Sequence, residues 1–188
     1  MIKYVFIDVE TTGLDPETAG IIQLSAIFDI DGEVVDTFSS FMKPFPDKTI
    51  AESALKVTGT TLEMISGYPE PEDAFKEFKV HLNKFINSTD RSDKAFFVGY
   101  NNLRFDTPFI RRWFLDNKDN YYGSYFHSNP IDVYALMSEY LKHVRGGIRS
   151  FNLTGVAKAM DIEFDAAGAH DDMFDIDLTR KMYRLIAS

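Results

Sequence analysis

The sequence contains no cysteine among its 188 residues. That absence excludes a disulfide framework, a thiol nucleophile and a thiolate metal site, so any metal ion would have to bind oxygen or imidazole ligands. The chain also lacks a basic, apolar leader at its N-terminus and any apolar run of membrane-spanning length. We therefore expect a soluble, cytoplasmic protein with no membrane partner.

Positive charge is scarce as well, with 20 Lys and Arg residues against 29 Asp and Glu residues and a net charge of −9. Because phosphate binding draws most of its strength from Lys and Arg, this balance argues at first sight against a nucleic-acid partner. Divalent cations held by acidic side chains would neutralise part of the negative charge, and the local field at a binding site matters more than the total charge. Basic residues occur in two clusters, which either contact phosphates or form solvated helix faces. The clusters are Arg104, Arg111 and Arg112, and then Lys142, His143, Arg145 and Arg149.

Apolar residues make up 45% of the sequence and aromatic residues 14%, which is enough to build a core. Apolar runs predict four strands, with a hairpin turn at Asp31-Gly32, and spacings of three and four predict five helices, one of them capped by Ser150. We expect a single α/β domain over residues 1–188, with a mixed sheet covered by helices. The predicted strands are 4–9, 21–30, 34–42 and 95–98, and the predicted helices are 71–86, 105–115, 132–141, 151–160 and one that begins near residue 170.

The strongest local pattern covers residues 6–13, with the sequence FIDVETTG. Strand periodicity puts Asp8 and Glu10 on one face at the end of an apolar strand. Two carboxylates so close to a core repel one another, so a basic side chain or a cation should compensate them. Oxygen ligands suit Mg²⁺ or Mn²⁺, and the Thr-Thr-Gly turn offers backbone groups to a substrate. Taken alone, the pair is also consistent with a strand that merely ends at the surface.

A second pattern, residues 98–106, leads from an apolar strand through a Gly and Asn turn to Asp106 near a helix start. Such an Asp is either a helix-capping or first-turn residue, favoured by the helix dipole, or a third carboxylate of a metal site. In the second interpretation Phe105 offers a stacking or wedge surface to a base.

A third pattern places His170 five positions before Asp175, at the opening of the final helix. The acidic residues between 171 and 175 are consistent with an ordinary acidic first turn. In the functional interpretation Asp175 completes a carboxylate cluster. His170 then reaches the water that attacks a phosphodiester, a role suited to an imidazole because that group ordinarily titrates near neutrality.

Together the three segments resemble the DEDD 3′-to-5′ exonucleases, which include the proofreading subunit of bacterial replicative polymerase, ribonuclease T and oligoribonuclease. The first motif is similar to residues 8–13, the second to residues 102–106, and the third to His170 with four residues before Asp175. His170 is typical of the histidine branch. The resemblance implies an α/β, ribonuclease H-like (DnaQ-like) fold, a mixed five-stranded sheet flanked by helices.

Residues 99–106 and 150–153 are most similar to the exonuclease I branch, which degrades single-stranded DNA from the 3′ end. Many relatives outside that branch have a histidine where this chain has Asn101. The sequence ends at Ser188, without the additional C-terminal domains of that branch, so we do not expect its processivity.

The resemblance implies a phosphodiester hydrolase that uses two Mg²⁺ or Mn²⁺ ions and releases nucleoside 5′-monophosphates. His170 would be the general base. The expected partner is the 3′ end of single-stranded DNA, or of RNA, with a DNA polymerase or repair complex as a further candidate. The implied metal ligands are Asp8, Glu10, Asp106 and Asp175, and the implied substrate-binding residues are Thr11, Thr12, Gly13, Leu14, Asn102, Arg104 and Phe105.

Two other functions stay open at this point. One is an RNA or short-oligonucleotide exonuclease similar to ribonuclease T or oligoribonuclease, which a requirement for the 2′-hydroxyl would reveal. The other is a non-catalytic nucleic-acid-binding module of the same fold. That second alternative conflicts with the presence of all five expected active-site residues, and metal-dependent release of mononucleotides would eliminate it.

Overall fold

The computed structural model describes residues 1–164 and 172–187. The strands of these residues form one five-stranded sheet in the order β3-β2-β1-β4-β5, with β1 in the centre. β1 pairs antiparallel with β2 and parallel with β4, and β4 pairs parallel with β5, which confirms the predicted mixed sheet. The strands are β1 (Lys3–Thr11), β2 (Ile21–Ile30), β3 (Glu33–Phe41), β4 (Phe96–Gly99) and β5 (Ile131–Asp132).

The turn between β2 and β3 is the predicted two-residue hairpin. Ile30 pairs with Glu33, and the two residues between them have positive φ angles, 51° at Asp31 and 102° at Gly32. Positive φ at both central residues is what a type I′ turn requires, and Asp-Gly meets that requirement at low cost.

Helices cover the two faces of the sheet. The predicted helices at 71–86, 105–115, 132–141 and 151–160 are all present within one or two residues at each end. The last of these four is capped by Asn152 rather than by the predicted Ser150, because the Asn152 Oδ1 accepts a hydrogen bond from the Gly155 amide at 3.0 Å. The helices are α1 (Glu52–Thr58), α2 (Leu62–Ser66), α3 (Pro71–Phe85), α4 (Asp106–Asp116), α5 (Tyr122–Tyr125), α6 (Val133–Tyr140), α7 (Leu153–Ala159) and α8 (Asp172–Ala187).

Strand alternation divides the core into two layers. Val5, Ile7 and Val9 of β1 are buried against residues of α3, α4 and α5. Phe6 points the other way and is buried with residues of α6, α7 and α8. Since successive side chains on a strand face opposite sides, Asp8 and Glu10 lie on the same face as Phe6, which is the face that α8 covers.

The carboxyl ends of β1, β4 and β5 meet at one edge of the sheet, because the three strands are parallel. At that edge β4 ends in Gly99, where a Cβ would stand 2.8 Å from the Asn102 Cβ and 3.1 Å from the Ile7 carbonyl oxygen. Only glycine allows so close an approach. The turn that follows Gly99 is therefore held beside the acidic end of β1.

None of the helices within the described residues is both long and apolar enough to cross a membrane.

Candidate active site

Asp106, the first residue of α4, joins the first two sequence motifs. Its side chain is 3% exposed, and its Oδ1 accepts a hydrogen bond from the backbone amide of Val9 at 3.1 Å. Burial, followed by the charges of Glu10 and Asp132, raises the pKa of the Asp106 carboxyl to about 7, although its backbone hydrogen bonds act in the opposite direction. A carboxyl so perturbed beside a second carboxylate is typical of a functional site.

Glu10 links Asp106 to the final helix. Burial raises the pKa of the Glu10 carboxyl, and the negative charge of Asp175 on α8 raises it further. Carboxylates from β1, α4 and α8 thus act on one another electrostatically, although they are separated by many residues in the sequence. Asp8 lies two residues before Glu10 on the same strand face, at the register position opposite Ser25 of β2.

His170 lies outside the described residues. Its assignment as the general base stays a prediction.

The chemistry of the acidic residues suits a hard divalent cation, because their ligand atoms are carboxylate oxygens. Burial first, and then neighbouring negative charge, raises the pKa values of Glu10 and Asp106, and a bound cation would offset both effects. Within residues 1–164 and 172–187, however, no three acidic or imidazole side chains are gathered closely enough to hold an ion. The four predicted ligands fit a metal ion chemically, and their coordination stays a prediction.

Thr12 organises the turn that follows β1 but is itself fully buried. Its hydroxyl donates to the Thr49 carbonyl at 2.6 Å and accepts from the Gly20 amide at 2.9 Å. Its backbone amide donates to Gly20 and its carbonyl accepts from Ala51. All polar groups of Thr12 are therefore engaged within the protein, so its contribution to the predicted nucleotide contact is the shape of the turn.

Asn102, another predicted substrate residue, is also fully buried. Its Nδ2 donates to the Ile131 carbonyl at 3.2 Å, whereas its Oδ1 has no hydrogen-bond partner among the described residues. Its contact with substrate stays a prediction. The sequence could not reveal this burial, because β5, which supplies Ile131, is only two residues long and gives no periodic signal.

The remaining predicted substrate residues lie nearer the surface. Leu14 is 86% exposed, and the backbone carbonyl of Gly13 accepts a hydrogen bond from the Thr11 hydroxyl at 2.7 Å. Phe105 is half-buried, with its ring centroid 5.0 Å from that of Phe109. Arg104 is exposed. Leu14 and Arg104 are thus accessible to a bound nucleic-acid strand, whereas Phe105 exposes only part of its ring.

Asp132 at the end of β5 supports the turn beside the acidic residues, a role that the sequence analysis did not identify. Its buried carboxylate accepts hydrogen bonds from the amides of Asn101 at 3.0 Å, Tyr134 at 2.9 Å and Leu103 at 3.4 Å. Asn101 has a left-handed φ of 61°. Asp132 therefore caps α6 and holds in place the turn that leads to Asp106. An Asp at the first position of the predicted helix 132–141 was the signal that could have found it.

We expect Asp132→Ala to lower the stability of the chain, and Asp132→Asn to preserve most of it. Alanine leaves buried amides without an acceptor, at about 1 to 3 kcal/mol for each unsatisfied group, whereas asparagine keeps one acceptor oxygen. Thermal unfolding of the two variants would be compared with that of the unmodified chain. An equal loss of stability in both variants would contradict the role of Asp132 as a hydrogen-bond acceptor for the turn.

Basic side chains border the same end of the sheet. The Tyr100 hydroxyl, next to the Asn101 turn, donates to the Phe151 carbonyl at 2.8 Å, and the Arg145 guanidinium lies 4.0 Å from the Phe151 ring centroid. Beyond them, a groove of about 520 Å³ is lined in part by Arg149 and Lys158. Part of the basic cluster at 142–149 thus approaches the turn beside the acidic residues.

The comparisons with known proteins agree with this geometry. A family model described as Exonuclease (RNase_T) matches residues 5–183. Two PolC-type DNA polymerases III are similar: that of Thermotoga petrophila, 29% identical over 85% of this chain and 10% of its own length, and that of Oceanobacillus iheyensis, 29% identical over 94% and 11%. This chain thus spans about a tenth of the length of those relatives.

Solved structures of exonuclease I share the fold. Escherichia coli exonuclease I in complex with a dT13 oligonucleotide superposes with a TM-score of 0.78 and 27% identity, covering 100% of this chain and 41% of that one. Its product-bound structure gives a TM-score of 0.75 with 25% identity, covering 99% and 43%. The family model, the fold and the acidic edge of the sheet lead to one conclusion: this chain belongs to the exonuclease family, as a DnaQ-like domain of ribonuclease H-like fold related to exonuclease I and to PolC-type polymerases.

Proposed function

We propose that the chain hydrolyses single-stranded DNA from the 3′ end and releases nucleoside 5′-monophosphates. The observation that carries this proposal is the interaction of buried Asp106 with Glu10, and of Glu10 with Asp175, at the carboxyl edge of the sheet. The similarity of the whole chain to exonuclease I in complex with an oligonucleotide supports the choice of substrate.

Exonucleases of this fold are metal-dependent, and exonuclease I has been solved in metal-free and zinc-bound forms. In this chain Asp8, Glu10, Asp106 and Asp175 would hold two divalent ions, Mg²⁺ or Mn²⁺. Such ions lower the pKa of water and neutralise charge that develops on the phosphoryl oxygens.

The chain's own residues would bind the strand and move a proton. Backbone groups of Thr11 and Gly13 would receive the terminal nucleotide, and exposed Leu14 would contact its base. Arg104 and the groove lined by Arg149 and Lys158 would attract the phosphates, which offsets the acidic total charge locally. His170 would accept the proton of the attacking water, a task suited to an imidazole that titrates near neutrality.

The PolC-type relatives contain the matching segment within a polymerase chain. That context supports a DNA polymerase or repair complex as the partner of this chain.

A product ladder tests the function. We expect 5′-labelled single-stranded DNA to shorten one nucleotide at a time in Mg²⁺, and neither EDTA-treated protein nor the Asp8→Asn variant to shorten it. Duplex DNA and a matched RNA strand form the comparison. Full turnover by Asp8→Asn would refute the metal-site assignment. Cleavage of RNA alone would replace the proposed substrate with RNA, since it indicates a requirement for the 2′-hydroxyl.

A further inference from the structure

Lys48 is a buried lysine that contacts the turn directly after Leu14. Its side chain is 1% exposed, and its ammonium group contacts the Pro16 carbonyl at 3.4 Å, the Glu17 carbonyl at 3.1 Å and the Asp116 Oδ2 at 3.0 Å. A lysine ammonium has three donors, and here each has an acceptor. Burial of a charge is tolerated when it is paired and fully hydrogen-bonded in this way.

Leu14 depends on its backbone for its position, because its 86% exposed side chain has almost nothing to pack against. The turn that begins directly after Leu14 is closed by the Asp15 carbonyl, which accepts from the amides of Thr18 and Ala19 at 3.1 and 2.8 Å. Pro16 and Glu17, whose carbonyls Lys48 binds, lie within this turn. Lys48 therefore holds the segment to which Leu14 is directly joined.

The same network connects the turn to α4. Asp116, the last residue of α4, accepts from Lys48 and, at 2.7 Å, from the Arg112 Nε. Arg112 also donates through Nη1 to the Glu17 carboxylate at 2.7 Å. Asp116 lies ten residues after Asp106, or about 15 Å along the helix, so Lys48 cannot act by touching the reacting phosphate.

We propose that Lys48 is a positioning residue that sets the place of Leu14, and through it the affinity of the site for the terminal nucleotide of the substrate. This inference rests on the proposed function. It predicts a defect in substrate binding rather than in the chemical step, because the acidic residues keep their own anchors on β1, α4 and α8.

Steady-state hydrolysis of a 5′-labelled single strand by Lys48→Met tests the inference. We expect KM to rise about tenfold while kcat stays within about threefold, the pattern of a lost binding interaction. Lys3→Met is the matched control, since Lys3 is also largely buried and bonded to a carbonyl and a carboxylate, those of Phe85 and Asp93, but at the opposite end of β1. It should leave both constants near those of the unmodified chain. A kcat loss without a KM change in Lys48→Met would overturn the proposal.

A double variant distinguishes positioning from general loosening. If Lys48 acts through Leu14, Lys48→Met should add little to the KM increase of Leu14→Ala, whereas independent effects would multiply and overturn the inference. Should Lys48→Met fail to fold, Lys48→Gln makes the same test, because its shorter, uncharged side chain has two donors rather than three and cannot serve both carbonyls and Asp116.

The proposed function and the inference fail in different ways. An unmodified chain without nuclease activity would overturn both. An active unmodified chain with a normal KM in Lys48→Met or Lys48→Gln would overturn the inference alone.

Discussion

Asp106→Asn should abolish hydrolysis and yet stabilise the metal-free protein above neutral pH. The loss of activity, on the order of a thousandfold, follows from removing a negatively charged oxygen that would hold a divalent cation, since that cation would balance the charge on the phosphoryl group. The gain in stability follows from burial, because the Asp106 carboxyl is 3% exposed and must be desolvated when it ionises. Asparagine fits the same space, and its carbonyl oxygen can still accept from the Val9 amide.

The stability that Asp106 contributes should fall as the pH rises. The pKa of Asp106 is raised from 3.8 to about 7 in the folded chain, so the folded state holds a proton that the unfolded state has already lost across that range. The contribution is fully present below about pH 4 and is lost as the pH rises to about 7. A tenfold difference in proton affinity between the folded and unfolded states corresponds to about 1.4 kcal/mol, so the penalty at pH 8 is on the order of a few kcal/mol.

Thermal unfolding in EDTA at pH 5 and pH 8 measures the effect. We expect Asp106→Asn to unfold about 5 to 10 °C above the unmodified chain at pH 8 and close to it at pH 5. Mg²⁺ should reduce the difference in melting temperature between the two proteins at pH 8, because a bound cation offsets the buried charge of Asp106 in the unmodified chain. Asp47→Asn, at an exposed carboxyl, is the control and should change neither melting temperature nor activity. A lower melting temperature for Asp106→Asn at pH 8 would contradict the burial argument.

Asp29→Ala should cause a large loss of stability, although Asp29 lies outside the active site. Asp29 is fully buried on β2. Its Oδ2 accepts from the Arg180 Nε at 2.7 Å, and its Oδ1 accepts from the Arg184 Nη2 and, at 3.0 Å, from the Gly32 amide. Both arginines belong to α8, so this carboxylate holds against the sheet the helix that carries Asp175.

Removing Asp29 leaves Arg180 and Arg184 without their anion, and the cost is about 3 kcal/mol, the low end for a buried pair, because both arginines are partly exposed to solvent. For a chain of this length that corresponds to a fall in melting temperature of about 10 °C. Nuclease activity should fall as well, well below the melting temperature, because α8 supplies one of the predicted metal ligands. Circular dichroism and the product ladder measure the two effects.

Asp177→Ala is the matched control on the same helix. Asp177 pairs with Lys181 at 2.8 Å, but both side chains are about half exposed, and an exposed pair one turn apart contributes only about 0.3 to 0.5 kcal/mol. The control should therefore melt within about 2 °C of the unmodified chain. If Asp29→Ala also melts within about 2 °C of the unmodified chain, the contacts of Asp29 with Arg180 and Arg184 do not stabilise α8 on the sheet.

Local patterns predicted much of the fold correctly. Alternation along β1 identified the strand and the shared face of Asp8 and Glu10, and Asp31-Gly32 identified the hairpin, because strand alternation and positive φ leave direct marks in sequence. β5 and α5 were missed, since they contain two and four residues and are too short for a periodic pattern. Asn102 and Thr12 were assigned to substrate from their motifs, whereas only packing could show that both are buried.

The sequence by itself determined the class of fold, the acidic motifs and the family resemblance, because each depends on residue type and on spacing along the chain. Only the tertiary structure decided which distant residues meet: Asp29 with Arg180 and Arg184, Lys48 with Glu17 and Asp116, and Asp132 with the amides of the Asn101 turn. Such pairings depend on the register of strands and the docking of helices, for which a single sequence provides no distance. The same holds for the raised pKa of Asp106, whose cause is burial by segments far from it in the chain.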